Sequence, residues 1–323
     1  MHILFCVGKS YIPIYRQMVN QLEAMGARVS CLMYDQAWDK ALIKKSIQDV
    51  QVYITAISAC DREVIDSAPQ LKYVLKTGTG LDNVDLDYAT EKGILVSNAP
   101  GENAISVAEL AFGQMISLSR MIPMLDRKTK KGEWPSGDSY ELAGKTVGVI
   151  GFGSIGQKIA RYAGAFTMRV IAYGNYQDTD AAQRLNTTFV ELDQLLREAD
   201  YIVISTALNQ SNYHLIDKQA IALMKSTAFL VNISRGALID EPVLLEALRQ
   251  KQIAGAALDV FETEPPKSLP DLDNLIVSPH IGGTTQESIS RVADVTVENI
   301  RKFMHHEKPE FVVNQTAVSK TDR

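Results

Sequence analysis

The chain has little with which to build disulfides or a metal cage. It holds only three cysteines, Cys6, Cys31 and Cys60, an odd number with no C-x-x-C spacing. Each lies in or beside a strand-like stretch, so they read as buried reduced thiols, with a cytoplasmic setting and no metal site as the corollary. Positive charge is also scarce. The 33 Lys and Arg are outnumbered by 38 Asp and Glu, for a net charge of -5, which argues against a nucleic-acid partner, since such a partner calls for a basic patch. No uninterrupted apolar run approaches the roughly 18 residues of a spanning helix. The segment Met1 to Val7 is too short and uncharged for a secretory signal and reads as a first buried strand. Low-complexity tracts are absent.

What remains is a soluble globular composition, 46% apolar and 22% charged over 323 residues. That length exceeds one ordinary core, so two domains are expected. Strand-like runs alternate with helical patterns almost throughout, which signals α/β layers around parallel sheets. The first series reads as strands at Ile3–Val7, Arg28–Tyr34, Val50–Ile57, Leu71–Thr77 and Ile94–Ser97, with helices such as Tyr15–Met25 and Asp61–Ala68 between them. Asn98-Ala99-Pro100-Gly101 then breaks the pattern. Asn103 to Lys131 reads as one long helix, apolar around much of its circumference and therefore buried on several faces. A second series follows, with strands at Thr146–Ile150, Arg169–Tyr173, Tyr201–Ser205, Ala228–Ile233, Gly255–Val260 and Leu275–Val277. Thr284 to His306 is helical, with apolar residues at three- and four-residue steps. The pattern alone leaves open whether this helix returns to the first domain. The tail after Pro309 is polar and reads as frayed.

Gly151-Phe152-Gly153-Ser154-Ile155-Gly156 follows a clean strand and opens a helix, the order that a dinucleotide fingerprint requires. Gly151 permits the tight turn, Gly153 lets backbone approach a pyrophosphate, and Gly156 allows close helix–strand contact. The N–H groups of Gly153, Ser154 and Ile155 then face the phosphates at the positive end of the helix. About 20 residues on, an NAD site ordinarily presents Asp or Glu for the ribose hydroxyls. Here the second strand ends in Tyr173-Gly174-Asn175-Tyr176, and the carboxylate is missing. Asn175 offers a neutral bond, yet no Arg or Lys lies between Val170 and Gln183 to attract a 2′-phosphate. NAD is slightly favoured and NADP stays open.

Three side chains then carry chemistry. Arg235, in Asn232-Ile233-Ser234-Arg235-Gly236, ends a strand-like run, and its fixed fork suits a substrate carboxylate. His280, in Ser278-Pro279-His280-Ile281-Gly282, follows another strand, and Glu264 lies upstream in a Pro-rich loop. A carboxylate able to reach an imidazole is the pairing that general acid–base chemistry needs. Glu262 is the neighbour most easily confused with Glu264. Asp240, before Glu241 and Pro242, reads as a helix N-cap. His214, His305 and His306 read as surface or packing residues. Trp134 is open between a partner's active site and a core or hinge role.

With the blocks Lys76–Asp85 (KTGTGLDNVD), Ser106–Leu110, the glycine turn, Asn232–Gly236, Ala257–Phe261 and Ser278–Gly282 in view, the chain resembles the D-isomer-specific 2-hydroxyacid dehydrogenases over nearly its full length. The likeness is to the branch of phosphoglycerate dehydrogenases and hydroxypyruvate–glyoxylate reductases. It implies two doubly wound parallel-sheet domains, a Rossmann dinucleotide domain (100–283) inserted in a flavodoxin-like substrate domain (1–99 plus 284–323). It also implies a homodimer built on the helix near Asn103. By the same resemblance Arg235 clamps the substrate carboxylate and polarises the carbonyl, and His280 exchanges a proton with the carbonyl oxygen. Glu264 orients the imidazole and favours its protonated form. Backbone N–H groups of Gly78, Thr79 and Gly80 grip the carboxylate, and Asp259 bonds the nicotinamide carboxamide. Gly174, Asn175, Thr206, Ile233 and Gly282 complete the expected coenzyme contacts.

The function so implied is NAD(P)-dependent reduction of a small 2-oxo acid. The phosphoglycerate branch carries an arginine for the phosphate where this chain aligns Ile57. Longer members add a regulatory domain after the final helix, whereas this chain ends at Arg323. Ile57 suits glyoxylate, hydroxypyruvate or a longer 2-oxo acid. Arg62, Lys72 or Lys76 could replace the arginine, which keeps D-3-phosphoglycerate dehydrogenase as the alternative. A dinucleotide-sensing corepressor on the same fold is a third reading, disfavoured by the absence of a long disordered tail and a basic patch.

Overall fold

In the computed structural model, which describes residues 1–8, 12–137 and 139–314, strand β1 (His2–Val7) is an inner strand of a five-stranded parallel sheet. Its partners are β2 (Arg28–Met33), β3 (Val52–Thr55), β4 (Tyr73–Lys76) and β5 (Leu95–Ser97), in the order β2-β1-β3-β4-β5. Helices α1 (Ile12–Ala24), α2 (Lys40–Ser46), α3 (Arg62–Asp66) and α4 (Leu86–Glu91) connect them. Both faces of this sheet are covered, which is why its strands read as apolar runs. Ile3, Phe5 and Val7 enter one core with Val52, Ile54, Tyr73 and Leu75; Leu4, Cys6, Tyr53 and Val74 enter the other. This two-residue alternation is that of a pleated strand. Burial pushes the Cys6 and Cys60 thiols up to about 12, so neither is a thiolate at neutral pH.

The chain divides into two compact units, Met1–Asn103 with Thr284–Arg323, and Ala104–Gly283. The second unit opens with α5 (Ala104–Ser119) and α6 (Ile122–Thr129). These replace the single helix expected over 103–131, and the cause is Pro123. Proline has no N–H to give the carbonyl four residues back. That carbonyl, of Ser119, instead accepts the Tyr140 N–H at 2.9 Å, and Met121 turns left-handed at φ 49°.

Seven parallel strands follow: β6 (Thr146–Ile150), β7 (Arg169–Tyr173), β8 (Thr187–Phe189), β9 (Tyr201–Ile204), β10 (Phe229–Asn232), β11 (Gly255–Leu258) and β12 (Leu275–Val277). Their order is β12-β11-β10-β9-β6-β7-β8, with α7 (Ser154–Ala165), α8 (Thr179–Arg184), α9 (Leu192–Glu198), α10 (Lys218–Leu223) and α11 (Glu241–Arg249) between them. The short edge strand β8 carries no apolar alternation long enough to read from sequence. Asp240 caps α11, its side chain accepting the Val243 N–H at 3.3 Å. In this order the chain runs outward from β6 in both directions, which creates a crevice beyond the strands' carboxyl ends, where such sheets place their ligands.

After β12 the chain returns to the first unit as α12 (Gln286–Met304), capped by Thr285. Ile289, Val292, Ala293 and Ile300 join the core that holds Ile3, Phe5 and Tyr73. Truncating Ile289 or Ile300 to alanine costs on the order of 2–4 kcal/mol. The tail is not frayed as far as Asn314. Edge strand β5 has open backbone groups, and the buried Asn314 amide satisfies them, accepting from the Val96 N–H at 2.9 Å and donating to the Ile94 carbonyl at 2.7 Å. The remainder of the tail, 315–323, lies outside the described residues. No helix among the described residues is long and apolar enough to cross a membrane.

Candidate active site

The glycine turn at the end of β6 is shaped by close backbone approach. Gly151 has φ +97°, and a Cβ there would stand 2.6 Å from the Thr206 amide nitrogen. A Cβ on Gly156 would stand 2.2 Å from the Gly151 carbonyl oxygen. Only glycine fits either position. At Gly153, by contrast, a Cβ would meet nothing within 4 Å. Helix α7 begins there on a glycine cap with no acidic residue in its first turn. No side chain caps the start of this helix, and Gly153 and Ser154 are exposed, which fits an incoming pyrophosphate.

The floor of this turn is tied together. The Gly151 N–H donates to the Tyr173 carbonyl at 2.7 Å, and Ser205 Oγ donates to the Gly151 carbonyl at 2.8 Å. The Thr206 carbonyl accepts from Ser234 Oγ, and Ile233 is buried. At the end of β7, Gly174 is half-buried while Asn175 and Tyr176 are exposed. The next acid, Asp178, is already committed: it caps α8 through the Ala181 N–H at 2.9 Å and accepts from Gln157 Nε2 at 3.3 Å.

Arg235 is presented by a turn that Asn232 fixes. Asn232 Nδ2 donates to the Arg235 carbonyl at 2.8 Å, and its Oδ1 accepts the Ser234 N–H at 3.1 Å. The half-buried guanidinium donates from Nη1 to the Ser234 carbonyl at 2.8 Å. Directly after it, Gly236 touches the next loop. A Cβ there would lie 1.9 Å from the Phe261 carbonyl carbon and 2.3 Å from the Glu262 nitrogen. The glycine beside Arg235 thus lets the Arg235 turn and the Glu264 loop share one van der Waals boundary.

Glu264 reaches His280. Its Oε2 lies 2.7 Å from His280 Nδ1, while its Oε1 accepts the Phe261 N–H at 3.1 Å. Burial works to raise the Glu264 carboxyl, but the His280 hydrogen bond and charge, the Phe261 N–H and the Arg235 charge outweigh it. The net position is below the usual glutamate range, so this group is ionised at neutral pH. His280 has φ 51°, a left-handed conformation rare for a non-glycine residue.

That conformation is held by Asp259, which is 1% exposed. The Asp259 carbonyl accepts the His280 N–H at 2.8 Å. Its Oδ1 accepts Ser278 Oγ at 2.6 Å and the Ile281 N–H at 3.0 Å, and its Oδ2 accepts the Gly282 N–H at 2.8 Å. Gln114 on α5 donates to Ser278 Oγ at 3.1 Å. Ser278 and Gln114 escaped the reading of the sequence; only the Ser-Pro preceding His280 could have pointed to the first of them. Gly78, Thr79 and Gly80 follow β4 in the other unit, where the Gly78 carbonyl accepts the Ala99 N–H at 3.2 Å and the Thr79 carbonyl accepts Asn98 Nδ2 at 2.8 Å. The Gly78 and Thr79 carbonyls are thereby held in place, which fixes the course of that turn.

Known proteins resemble this chain along most of its length. Residues 112–282 match the family described as D-isomer specific 2-hydroxyacid dehydrogenase, NAD binding domain. A glyoxylate reductase of Pyrococcus horikoshii is 36% identical over 291 residues, 86% of this chain and 87% of that protein. A D-3-phosphoglycerate dehydrogenase of Methanocaldococcus jannaschii is 39% identical over 308 residues, 94% of this chain but only 58% of that longer protein. The crystal structure of a D-lactate dehydrogenase from Aquifex aeolicus, complexed with NAD and lactic acid, superposes with a TM-score of 0.83 at 27% identity, covering 95% of this chain and 96% of that one. The chain therefore belongs to the D-isomer-specific 2-hydroxyacid dehydrogenase family, nicotinamide-dependent oxidoreductases that act on a CH–OH group.

Proposed function

We propose that this dehydrogenase reduces a small 2-oxo acid, such as glyoxylate, hydroxypyruvate or a longer homologue, to the D-2-hydroxy acid, and catalyses the reverse oxidation. The observation that carries the reading is the 2.7 Å bond between Glu264 and His280, on a loop that Gly236 packs against the Arg235 turn. When bound, the nicotinamide coenzyme supplies or accepts the hydride. The chain's own residues do the rest. With Nδ1–H donated to an ionised Glu264, the imidazolium holds its second proton on Nε2 and gives it to the carbonyl oxygen as negative charge develops there. In the oxidative direction neutral His280 takes that proton back, and Glu264 stabilises the resulting imidazolium. Arg235 binds the carboxylate through its fork and lends positive charge to the developing alkoxide. Gly78, Thr79 and Gly80 are assigned to the carboxylate through backbone N–H groups, and Asp259 to the carboxamide.

For the coenzyme, Gly151, Gly153, Ser154, Ile155, Gly156, Gly174, Thr206, Ile233 and Gly282 are the assigned contacts. NAD is slightly favoured over NADP, since Asn175 bonds a hydroxyl without charge and no cation between Val170 and Gln183 attracts a phosphate. At the substrate side, the Ile57 side chain is 39% exposed at the end of the β3 loop and offers no charge to a phosphate. A homodimer in the cytoplasm belongs to the same proposal. Exposed Ile105, Ile122, Trp134 and Tyr140 on and after α5 and α6 support the dimer, and the free thiols support a reducing compartment.

Oxidation of NADH and NADPH is followed at 340 nm with a panel of 2-oxo acids, 3-phosphohydroxypyruvate among them. Turnover of an unphosphorylated acid to the D product supports the reading. Exclusive use of the phosphorylated acid moves the function to phosphoglycerate oxidation. Tight coenzyme binding with no turnover of any acid would remove the enzymatic assignment.

A further inference from the structure

A second imidazole–carboxylate pair sits on the loop that presents Glu264. Two positions before Glu264, Glu262 turns its carboxylate to a different histidine, and its Oε1 lies 2.7 Å from His214 Nε2. The same Oε1 accepts the Glu241 N–H at 3.3 Å, and the Glu262 N–H donates to Glu241 Oε2 at 3.1 Å. His214 is anchored in turn. Its N–H donates to the Ala237 carbonyl at 2.9 Å, within the 3-10 turn Gly236–Leu238 that follows Arg235. Its Nδ1 stands 3.8 Å from Asp240 Oδ2, and the Tyr213 ring stacks on it with 4.0 Å between centroids. The main chain of His214 therefore holds the Arg235 turn, while its ring holds the Glu264 loop.

This matters because, beyond the backbone contact at Gly236, side-chain packing does little for that loop. Glu262, Thr263 and Glu264 are all exposed, so polar contacts must fix their course. A reacting constellation has to be held within about 0.5 Å of its productive geometry. We propose that His214 and Glu262 are positioning residues that keep Glu264 at bonding distance from His280 and in register with Arg235. The inference rests on the reading of His280 as the proton donor. Neither His214 nor Glu262 touches the reacting atoms in this account, and their effect passes through Glu264.

The test is a double-mutant cycle on the full-length enzyme, with melting temperature recorded beside kcat and KM for a turned-over 2-oxo acid. His214→Ala is expected to lower kcat by roughly 3- to 10-fold with KM changed less than about twofold. His214→Gln, whose amide still donates to Glu262, should recover most of that loss. In a Glu264→Gln background the same His214→Ala change should cost less than about 1.5-fold, since the group it positions has lost its charge. If His214→Ala does not fold, Glu262→Gln enters the same cycle, with a smaller loss expected and the same disappearance in the Glu264→Gln background. A fully multiplicative loss in the double variant overturns the proposal, as does unchanged kcat in folded His214→Ala. If His280→Ala keeps the wild-type rate, the reading of the active site fails and this inference falls with it. That pattern is distinct from either result at His214.

Discussion

On one half of the seven-stranded sheet, β6 and β7 lead into Gly151 and Gly174, and the turn after β6 opens a helix on a glycine cap. On the other half, β10, β11 and β12 lead into Arg235, Asp259 and His280, with Glu264 on the loop between the last two strands. The first half is built by removing side chains: a Cβ on Gly151 or Gly156 would collide with neighbouring backbone. The second is built by holding charged side chains with other polar groups, three bonds to the Asp259 carboxylate among them. Binding a phosphate needs only oriented N–H groups and space. Moving a proton needs an ionised acid, a tautomer fixed by it, and a neighbouring cation. The contrast follows from that difference in task, and it can be probed from either side.

The largest effect on the glycine half is expected from Gly151→Ala. The new methyl would be forced against Thr206 at a φ that alanine resists. Stability should fall by about 2 kcal/mol or more, and coenzyme affinity by about tenfold. Denaturant titration and coenzyme fluorescence read both. Unchanged values would show that this turn does not depend on its missing side chain. Asn175→Asp gives the glycine half the charge it lacks. It should raise the preference for NADH over NADPH by roughly 3- to 10-fold. Equal effects on the two coenzymes would place residue 175 away from the ribose.

The smallest effect concerns the charged half and is a matter of pH. The folded Glu264 carboxyl lies below its ordinary range: burial opposes this, and the contacts with His280, Phe261 and Arg235 prevail. A depressed carboxyl stabilises the fold above its unfolded pKa, near about 4.3, and that contribution is lost as pH falls through the folded value. The melting-temperature gap between wild type and Glu264→Gln should therefore be open at pH 7 and narrow as pH falls through the folded value. A gap that persists in acid would mean that the carboxylate charge is not what stabilises this loop.

The two halves also differ in how they could be read from sequence. The glycine turn was legible because strand, turn and helix are contiguous and their spacing is local. The parallel sheets were legible because strands covered on both faces are apolar throughout. The apolar pattern of α5 continues past Ser119, and a single residue, Pro123, ends the hydrogen-bond ladder there. Strand β8 has only three partly exposed residues, too few to carry a periodicity. The charged half was legible through its likeness to a known family and not through local pattern. Glu262 and Glu264 each meet a histidine, and which acid meets which is decided by loops far apart in the chain. Asp259 likewise receives its donors from residues about 20 positions on, in a turn whose shape no local pattern specifies.

The central claim is that His280, oriented by Glu264, supplies the proton during reduction. The single-turnover rate of reduced-coenzyme oxidation by a 2-oxo acid, compared between wild type and His280→Ala at saturating coenzyme, tests it most directly. A fall of about 10² or more in that rate, with coenzyme affinity and melting temperature close to wild type, is predicted. A folded His280→Ala enzyme that reduces the acid at the wild-type rate would contradict it.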